Sequence, residues 1–468
     1  MGEHYDLVVI GAGSGEAVVD DSVSDWKVAI IEKRDFGGTC LNRGCIPSKM
    51  FVHPADVAVQ AAHGPRLGVR SAADGVDWVD VRSRVIGRID AAAQQGEETY
   101  AEKPNVTVLR GSARFTGERR LVVALADGEV ELSADRVVLA TGSHPVVPEI
   151  PGLAEAGYVT SDDVMRMDRL PARIGVLGGG YVGSEFAHVL ASYGAQVTQV
   201  DSAPVLLSNQ DPEISERFTA AVRERWDLRL GTELERVTGT GPLTLHLSDG
   251  GTVEVDAILV AVGRAPSSDG LDLDRAGVQV DESGLVVTDR HLRTSAEGVW
   301  ALGDIASEVP LKHAANADAR VVRHNLRHPD DLWSKDHDRV PNAVFAHPQV
   351  ASVGLSEEQA REQGIDLAVG RRAYADVAFG WALQRDPDDA SPEAAGLVKL
   401  LADRRTGLLV GAHLIGEQAS ILLQPLIQAM AFDQPVRGLA RGQYWIHPAL
   451  TEVVENALLD LEDALDDV

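Results

Sequence analysis

The apolar positions of this chain fall into two rhythms. Through the first two-thirds they form short unbroken runs, most of them ending in glycine. The runs are Tyr5-Asp6-Leu7-Val8-Val9-Ile10, Lys27-Val28-Ala29-Ile30-Ile31-Glu32, Val137-Val138-Leu139-Ala140, Arg173-Ile174-Gly175-Val176-Leu177, Gln196-Val197-Thr198-Gln199-Val200, Ala257-Ile258-Leu259-Val260-Ala261-Val262 and Val299-Trp300-Ala301-Leu302. Continuous apolar runs of this length predict strands buried on both faces, as in a parallel sheet covered by helices. From residue 341 the rhythm changes. Val344-Phe345 and Val350 to Leu355 alternate like antiparallel strands, and the apolar runs 397–401 and 408–414 flank Asp403-Arg404-Arg405-Thr406-Gly407 as a hairpin. Two apolar helices are predicted near 417–432 and 448–460. The polar, proline-bearing stretch Arg385 to Glu393 reads as an exposed loop without a catalytic role. The acidic end from Asp460 to Val468 reads as frayed.

Glycines sharpen the first rhythm. Gly11-Ala12-Gly13-Ser14-Gly15 follows the first strand, a helix is expected next, and Glu32 closes the second strand 21 residues after Gly11. This is the strand–turn–helix–strand context of a dinucleotide fingerprint, with Gly11 and Gly13 permitting a tight turn and close approach of a pyrophosphate and Glu32 placed to accept from a ribose hydroxyl. The third fingerprint position is Glu16, a carboxylate that would crowd phosphate; Gly15 beside it is placed to relieve the packing. A second copy is complete, with Gly178, Gly180 and Gly183 and, 23 residues after Gly178, Asp201. Two Rossmann-like units imply two nucleotides, or one nucleotide and a structural relic. Three further strand ends carry small-residue turns, at Thr141-Gly142, Gly263-Arg264 and Gly303-Asp304. Ligands of open α/β sheets bind at such carboxyl ends, and Asp304 is suited to accept from a polyol hydroxyl.

Charge and length narrow the field. The 468 residues suggest about three domains by the usual length prior. With 71 acidic against 43 basic residues the formal charge is −28, which argues against a nucleic-acid partner because phosphate contacts need a basic face. No apolar run approaches the roughly 20 residues needed to span a bilayer, and the start does not resemble a signal peptide, so a cytoplasmic location without membrane contact is expected.

Both cysteines, Cys40 and Cys45, lie in Gly37-Gly38-Thr39-Cys40-Leu41-Asn42-Arg43-Gly44-Cys45-Ile46-Pro47-Ser48-Lys49 with four residues between them. A disulfide closing so short a loop adds little stability, so the pair reads as one that opens and closes. Pro47 places Cys45 near a helix N-terminus, where the dipole favours a thiolate. Far along the chain, His447 precedes Glu452 by five residues across a helix start, a spacing that suits an imidazole–carboxylate pair able to move protons near neutral pH. The other histidines, including His313, His347 and His413, show no metal-ligand spacing, and no metal is expected.

At this point the motifs resemble those of the flavin-dependent pyridine nucleotide–disulfide oxidoreductases. The cysteine motif, both fingerprints, Ala140-Thr141-Gly142, Gly263-Arg264-Ala265-Pro266, Gly303-Asp304 and His447 with Glu452 carry the resemblance over essentially the whole chain. Within the family, Lys49-Met50-Phe51-Val52, Phe379-Gly380-Trp381-Ala382 and the run Ala440 to Leu450 look most like the mycothione reductase branch. No further cysteine exists for the terminal pairs of mercuric reductases or the large thioredoxin reductases.

The resemblance implies an α/β fold with two Rossmann-like dinucleotide-binding domains, for FAD and NAD(P)H, plus a C-terminal α+β dimerisation domain. The expected divisions are 1–150 and 273–340 for FAD, 151–272 for NAD(P)H and 341–468 for the interface. The cofactors would be held by Gly11, Gly13, Gly15, Glu32, Gly38, Thr39, Thr141, Gly142, Gly178, Gly180, Gly183, Asp201, Gly263, Arg264, Gly303 and Asp304. Electrons would pass from reduced nicotinamide through FAD to a Cys40–Cys45 disulfide. Cys45 would then be the thiolate at the flavin and Cys40 the exposed thiol that attacks a small disulfide substrate. Lys49 would lie near the flavin, paired with Glu185. His447 of a second copy, held by Glu452, would protonate the leaving thiolate, so a homodimer is expected. NADPH users carry arginines after the second fingerprint strand; here Asp201 to Ser208 has no Arg or Lys, which predicts NADH over NADPH. Dihydrolipoamide dehydrogenase and bis-γ-glutamylcystine reductase remain the enzymatic alternatives. A nucleotide-binding flavoprotein redox sensor is the non-enzymatic one, supported only by Glu16.

Overall fold

The computed structural model describes residues 2–71, 75–383 and 396–467. The unbroken apolar runs form parallel strands as their patterning requires. Glu3–Ile10 is flanked by Val28–Glu32 and by Gly128–Leu139, and Val299–Ala301 adds to the far side of Gly128–Leu139. Chain from beyond residue 273 thus returns to the first sheet. Val106–Gly117 continues the sheet in parallel beside Val28–Glu32, and Arg120–Leu125 joins Val106–Gly117 to Gly128–Leu139 in antiparallel pairing. A second parallel sheet is ordered Ala257–Val260, Arg173–Leu177, Gln196–Asp201, Asp227–Leu230. Leu7, Val9, Ile30 and Val138 on the first sheet, and Ile174, Val176 and Leu259 on the second, are fully buried. A small antiparallel pair, Ser143–Pro145 with Arg264–Pro266, bridges the chain leaving the first sheet and the chain leaving the second.

Beyond residue 341 five antiparallel strands form one sheet, in the order Asn342–Val344, Gln349–Gly354, Leu408–Gly416, Leu397–Asp403, Leu367–Ala373. The predicted hairpin is the pairing of Leu397–Asp403 with Leu408–Gly416. A buried ionic cluster ties this sheet to the second one. Lys399, with only 3% of its side chain exposed, donates to both oxygens of Asp211 (2.8 and 3.0 Å) and pairs with Glu357 at 2.8 Å. Asp211 caps the helix Pro212–Val222.

Three expectations need correction. No α-helix follows the first fingerprint; the crossover is made of 3-10 turns at Gly15–Val18 and Asp21–Val23. The cause is local: Asp20 accepts from the Ser22 N–H and hydroxyl and Ser24 donates to the Asp21 carbonyl, and such side-chain bonds compete with a helix ladder. The helix expected at 417–432 is broken into Ala419–Leu422 and Gln424–Ala431, with Pro425 in the first turn of the second piece. The C-terminal end does not fray: the helix Thr451–Asp466 runs through it, with Leu461 and Leu465 buried. Arg372 pairs with Asp460, Arg437 with Asp466, and Arg404 donates to the Ala464 carbonyl at 2.5 Å. The loop expected at Arg385 to Glu393 lies outside the described residues.

Candidate active site

The redox segment is folded by its glycines and one amide. Gly37 (φ +87°) and Gly38 (φ +63°) turn the chain into the short helix Gly38–Asn42. The buried Asn42 side-chain amide donates to the Phe36 and Gly38 carbonyls (2.7 and 2.9 Å) and locks that turn. The Gly37 N–H donates to the Ala12 carbonyl (2.8 Å), and a Cβ on Gly38 would lie 2.7 Å from the Gly13 Cα. The cysteine segment is thereby held against the first fingerprint loop.

Cys45 is the first residue of the helix Cys45–His63, as Pro47 predicts. Both cysteines are free thiols. Cys40 donates to the Cys45 sulfur, and this bond, aided by the Lys49 charge and the helix-end N–H, lowers the Cys45 thiol to about 7. The same bond, with burial, pushes Cys40 up. In one chain Cys45 is exposed and Cys40 half-buried. Cys40 folds back over the first turn of the helix, where its sulfur takes the Ile46 N–H.

Around the pair, Lys49 donates to both oxygens of the buried Glu185 (2.9 and 2.7 Å), which also accepts the Phe345 N–H at 2.9 Å. The expected Lys49–Glu185 contact is formed. Tyr181, at the start of the helix Tyr181–Ser192, lies within electrostatic reach of Arg264, Asp304, Glu185 and Cys45. Asp304 accepts from the Ser143 hydroxyl (2.6 Å), which accepts in turn from Arg264 (2.8 Å). Gly142 and Gly303 turn at positive φ beside them, and the Thr141 hydroxyl donates to the Ser267 carbonyl. Thr39 is exposed on the cysteine segment.

Both fingerprint loops have the shape that a dinucleotide needs. A Cβ on Gly11 would lie 2.3 Å from the Ala140 carbonyl oxygen, and one on Gly178 would lie 2.3 Å from that of Ala261. Glu32 accepts from the N–H groups of Ala12 (2.8 Å) and Arg34 (2.7 Å). Asp201 accepts from those of Gly179 (2.5 Å) and Ala203 (2.7 Å). A Cβ on Gly180 would meet open space, while Gly183 admits none, since it would lie 2.1 Å from the Gly178 carbonyl oxygen. In the first unit the close approach is at Gly15, where a Cβ would lie 2.6 Å from the Ala140 Cβ. This explains how Glu16 is tolerated at the third position. The residues fit FAD and a nicotinamide nucleotide at the two loops.

His447 Nδ1 lies 2.7 Å from Glu452 Oε1. The imidazole is 72% exposed, and among the described residues no hydrogen bond or ion pair joins it to either cysteine. Tyr444 and Ile446 beside it are also exposed. A groove of about 970 Å³, lined by Arg119, Arg136 and Arg293 among others, lies at the opposite, amino-end side of the first sheet. Among the described residues no cluster of metal ligands occurs, and no helix is long and apolar enough to cross a membrane. Sequence reasoning missed Lys312. It opens the helix Lys312–Arg327 and donates to the Ser14 hydroxyl (3.0 Å). Its only signal was a lysine at a helix start shortly after Gly303-Asp304.

Comparison with known proteins agrees with this geometry. Residues 5–319 match the model of the pyridine nucleotide-disulphide oxidoreductase family, and residues 340–458 match that of its dimerisation domain. Mycothione reductase of Mycobacterium tuberculosis is 46% identical, over 98% of this chain and 100% of the relative. Dihydrolipoyl dehydrogenase of Mycobacterium leprae is 32% identical, over 97% of each. The solved structure of the copper(II) complex of HOCl-induced flavoprotein disulfide reductase RclA from Escherichia coli superposes with a TM-score of 0.86 at 29% identity, covering 100% of both chains. With two loops of dinucleotide-binding shape, a cysteine pair packed on the first and a dimerisation domain, this chain belongs to the pyridine nucleotide-disulphide oxidoreductase family and is an FAD-dependent disulfide oxidoreductase that uses a pyridine nucleotide.

Proposed function

We propose that this enzyme reduces the disulfide of a low-molecular-weight thiol, mycothione first, with NADH as the preferred reductant. The observation that carries the reading is the Cys40–Cys45 pair, one sulfur thiolate-prone at a helix start and the other its proton donor. The substrate class is supported by the 46% identity to a mycothione reductase, against 32% to a dihydrolipoyl dehydrogenase. In this reading residues 1–150 and 273–340 hold FAD, 151–272 hold the nicotinamide nucleotide, and 341–468 form the homodimer interface.

FAD, when bound, carries the electron pair from the nicotinamide to the Cys40–Cys45 disulfide. Gly11, Gly13 and Gly15 shape the loop for its pyrophosphate, and Glu32 and Asp304 offer carboxylate oxygens to its hydroxyls. Lys49, held by Glu185, keeps a cation beside Cys45 and so keeps that sulfur ionised near neutral pH. Cys40 attacks the substrate disulfide. One product thiolate leaves and takes a proton from His447 of the other copy, oriented by Glu452. Cys45 then attacks the Cys40 sulfur, expelling the second thiolate and closing the enzyme disulfide. A shared site is supported by His447, which is exposed and meets neither cysteine of its own chain, with apolar Tyr444 and Ile446 open beside it.

The NADH preference rests on Asp201. Its carboxylate suits a free ribose 2′-hydroxyl and repels a 2′-phosphate. The cation on the adjacent strand, Arg229, is already paired with Asp227 at 2.9 Å. The test is turnover with mycothione, bis-γ-glutamylcystine, glutathione disulfide and lipoamide, each with NADH and NADPH. Mycothione with NADH is expected to give the highest kcat/KM. Lipoamide as the best substrate would overturn the thiol assignment, and a preference of about tenfold or more for NADPH would overturn the cofactor assignment.

A further inference from the structure

The turn that presents Asp304 is held by a chain of polar groups outside the nucleotide motifs. Gly303 turns at φ +71°, and its N–H donates to the Asp318 carboxylate at 3.2 Å. Asp318 lies on the helix Lys312–Arg327 and is only 1% exposed. Its other oxygen lies 2.8 Å from His337 Nε2. A carboxylate can only accept, so Nε2 carries the proton. His337 Nδ1 lies 3.3 Å from the Ser307 hydroxyl, whose oxygen takes the Val309 N–H at 3.1 Å. Ser307 follows the same turn, four residues after Gly303.

The segment that carries His337 is pinned on both sides. Before it, the Lys335 N–H donates to the Arg290 carbonyl at 2.8 Å. After it, Arg339 pairs with Asp433 at 2.7 Å, and the Pro341 carbonyl lies 2.7 Å from His313 Nε2. The imidazole is 16% exposed and has a partner at each nitrogen. His337 therefore meets Asp318 from a fixed position, and a group fixed in this way can orient the one it bonds.

We propose that His337 is a positioning residue for the flavin: through Asp318 it fixes the Gly303 N–H, and with it the place of the Asp304 carboxylate. The proposal rests on the reading of Asp304 as an acceptor for a flavin hydroxyl and adds the residues that hold it there. Gly303 is buried, so without Asp318 its N–H would lose its partner with no water to replace it. Asp318 is a buried carboxylate that needs donors at both oxygens; His337 satisfies one and so aims the other at Gly303. The 3-10 turn Gly303–Ile305 begins at that bond, and Asp304 is its second residue. Ser143 holds the Asp304 side chain at 2.6 Å, but only the Asp318 bond holds the backbone N–H from which the turn starts.

The test is the rate of FAD release from the purified flavoprotein, followed as the rise of flavin fluorescence after dilution. His337→Leu should speed release about tenfold, the scale of one hydrogen bond to a charged group. His337→Gln keeps a donor for Asp318 and should stay within about threefold of the parent. In an Asp318→Asn background the charge that His337 serves is gone, so His337→Leu should add less than about twofold there. An unchanged release rate in His337→Leu would overturn the proposal. A His337→Gln rate as fast as that of His337→Leu would also overturn it, because the role would then be packing. So would a full tenfold effect of His337→Leu in both backgrounds, because His337 would then act without Asp318. Should His337→Leu fail to fold, His337→Asn, too short to reach Asp318, gives the same reading. Asp304→Ala tests the underlying assignment separately: release unchanged in that variant removes Asp304 from the flavin site, whereas the positioning role of His337 stands or falls on its own variants.

Discussion

At the first nucleotide loop Gly11 turns at φ +104°, its N–H donates to the Ile31 carbonyl at 2.8 Å, and Glu32 takes the Ala12 N–H. At the second, Gly178 turns at φ +111°, its N–H donates to the Val200 carbonyl at 2.9 Å, and Asp201 takes the Gly179 N–H. The loops are near copies, but their surroundings are not. Over the first stand Gly37, Gly38 and the cysteine segment, with Lys312 on Ser14. Over the second stands an apolar strap, with the Leu207 N–H donating to the Gly179 carbonyl at 2.8 Å. One backbone device therefore has two settings: the second loop stands with apolar neighbours, while the first adds a redox pair and charged groups of its own. The helix behind each loop differs accordingly. The second is a full helix, Tyr181–Ser192, that needs Gly183 to pack; the first is a 3-10 turn that needs Gly15 and leaves room for a side chain at Glu16.

The sharpest way to break this comparison is at the two tight turns. Gly11→Ala and Gly178→Ala each drive a Cβ to 2.3 Å from a carbonyl oxygen at positive φ, and each should cost about 2–4 kcal/mol locally. Their readouts should differ. Gly11→Ala should be purified with little flavin, as measured by visible absorbance. Gly178→Ala should keep its flavin but lose NADH-driven reduction. Equal flavin loss in both would mean that the loops do not divide their nucleotides in this way.

The third positions should respond unequally. At pH 4.5, where the Glu16 carboxyl is neutral, Gly183→Ala should cost about 2–3 kcal/mol in denaturant unfolding, whereas Glu16→Ala should cost under about 1 kcal/mol. Glu16→Gln also has a pH signature. The native carboxyl titrates near 7, above its ordinary value of 4.5, so its contribution to stability is full below about 4.5 and lost as pH rises through 7. The variant should therefore match the parent at pH 4.5 and exceed it by about 1–3 kcal/mol at pH 8, read as a Tm difference that grows with pH. A difference that shrinks with pH would contradict the burial of Glu16.

The smallest effect is expected at the strand ends. Asp201→Asn keeps an acceptor but removes the charge, and should narrow discrimination against NADPH by about tenfold in kcat/KM. No change in the ratio would remove Asp201 from cofactor selection.

Much of this was legible from spacing. Both glycine loops, their carboxylates, Cys45 at a helix start and the five-residue step from His447 to Glu452 are short-range patterns, and short-range geometry enforces them. Other features escaped because their cause is not local. Asp20 and Ser22 divert the first crossover from a helix by bonds that propensity alone underweights. Asp460 and Asp466 look like a solvated tail until Arg372 and Arg437, remote in sequence, are brought beside them. Lys399 and Asp211 are 188 positions apart, and nothing in either neighbourhood announces a buried pair. The exposures of the two cysteines depend on how Cys40 folds over the Ile46 N–H, a detail that no motif carries.

The central claim is that the two sulfurs over the first loop are unequal, with Cys45 the thiolate. Anaerobic addition of NADH, followed by long-wavelength thiolate–flavin absorbance, tests it most directly. The band should appear in the parent when NADH is added and be present in Cys40→Ser before any is added, because that variant has no disulfide to take the electron pair; it should be absent in Cys45→Ser, and in the parent it should fade as pH is lowered through about 7, because the Cys45 thiol titrates there. A band that survives Cys45→Ser and vanishes in Cys40→Ser would contradict the account.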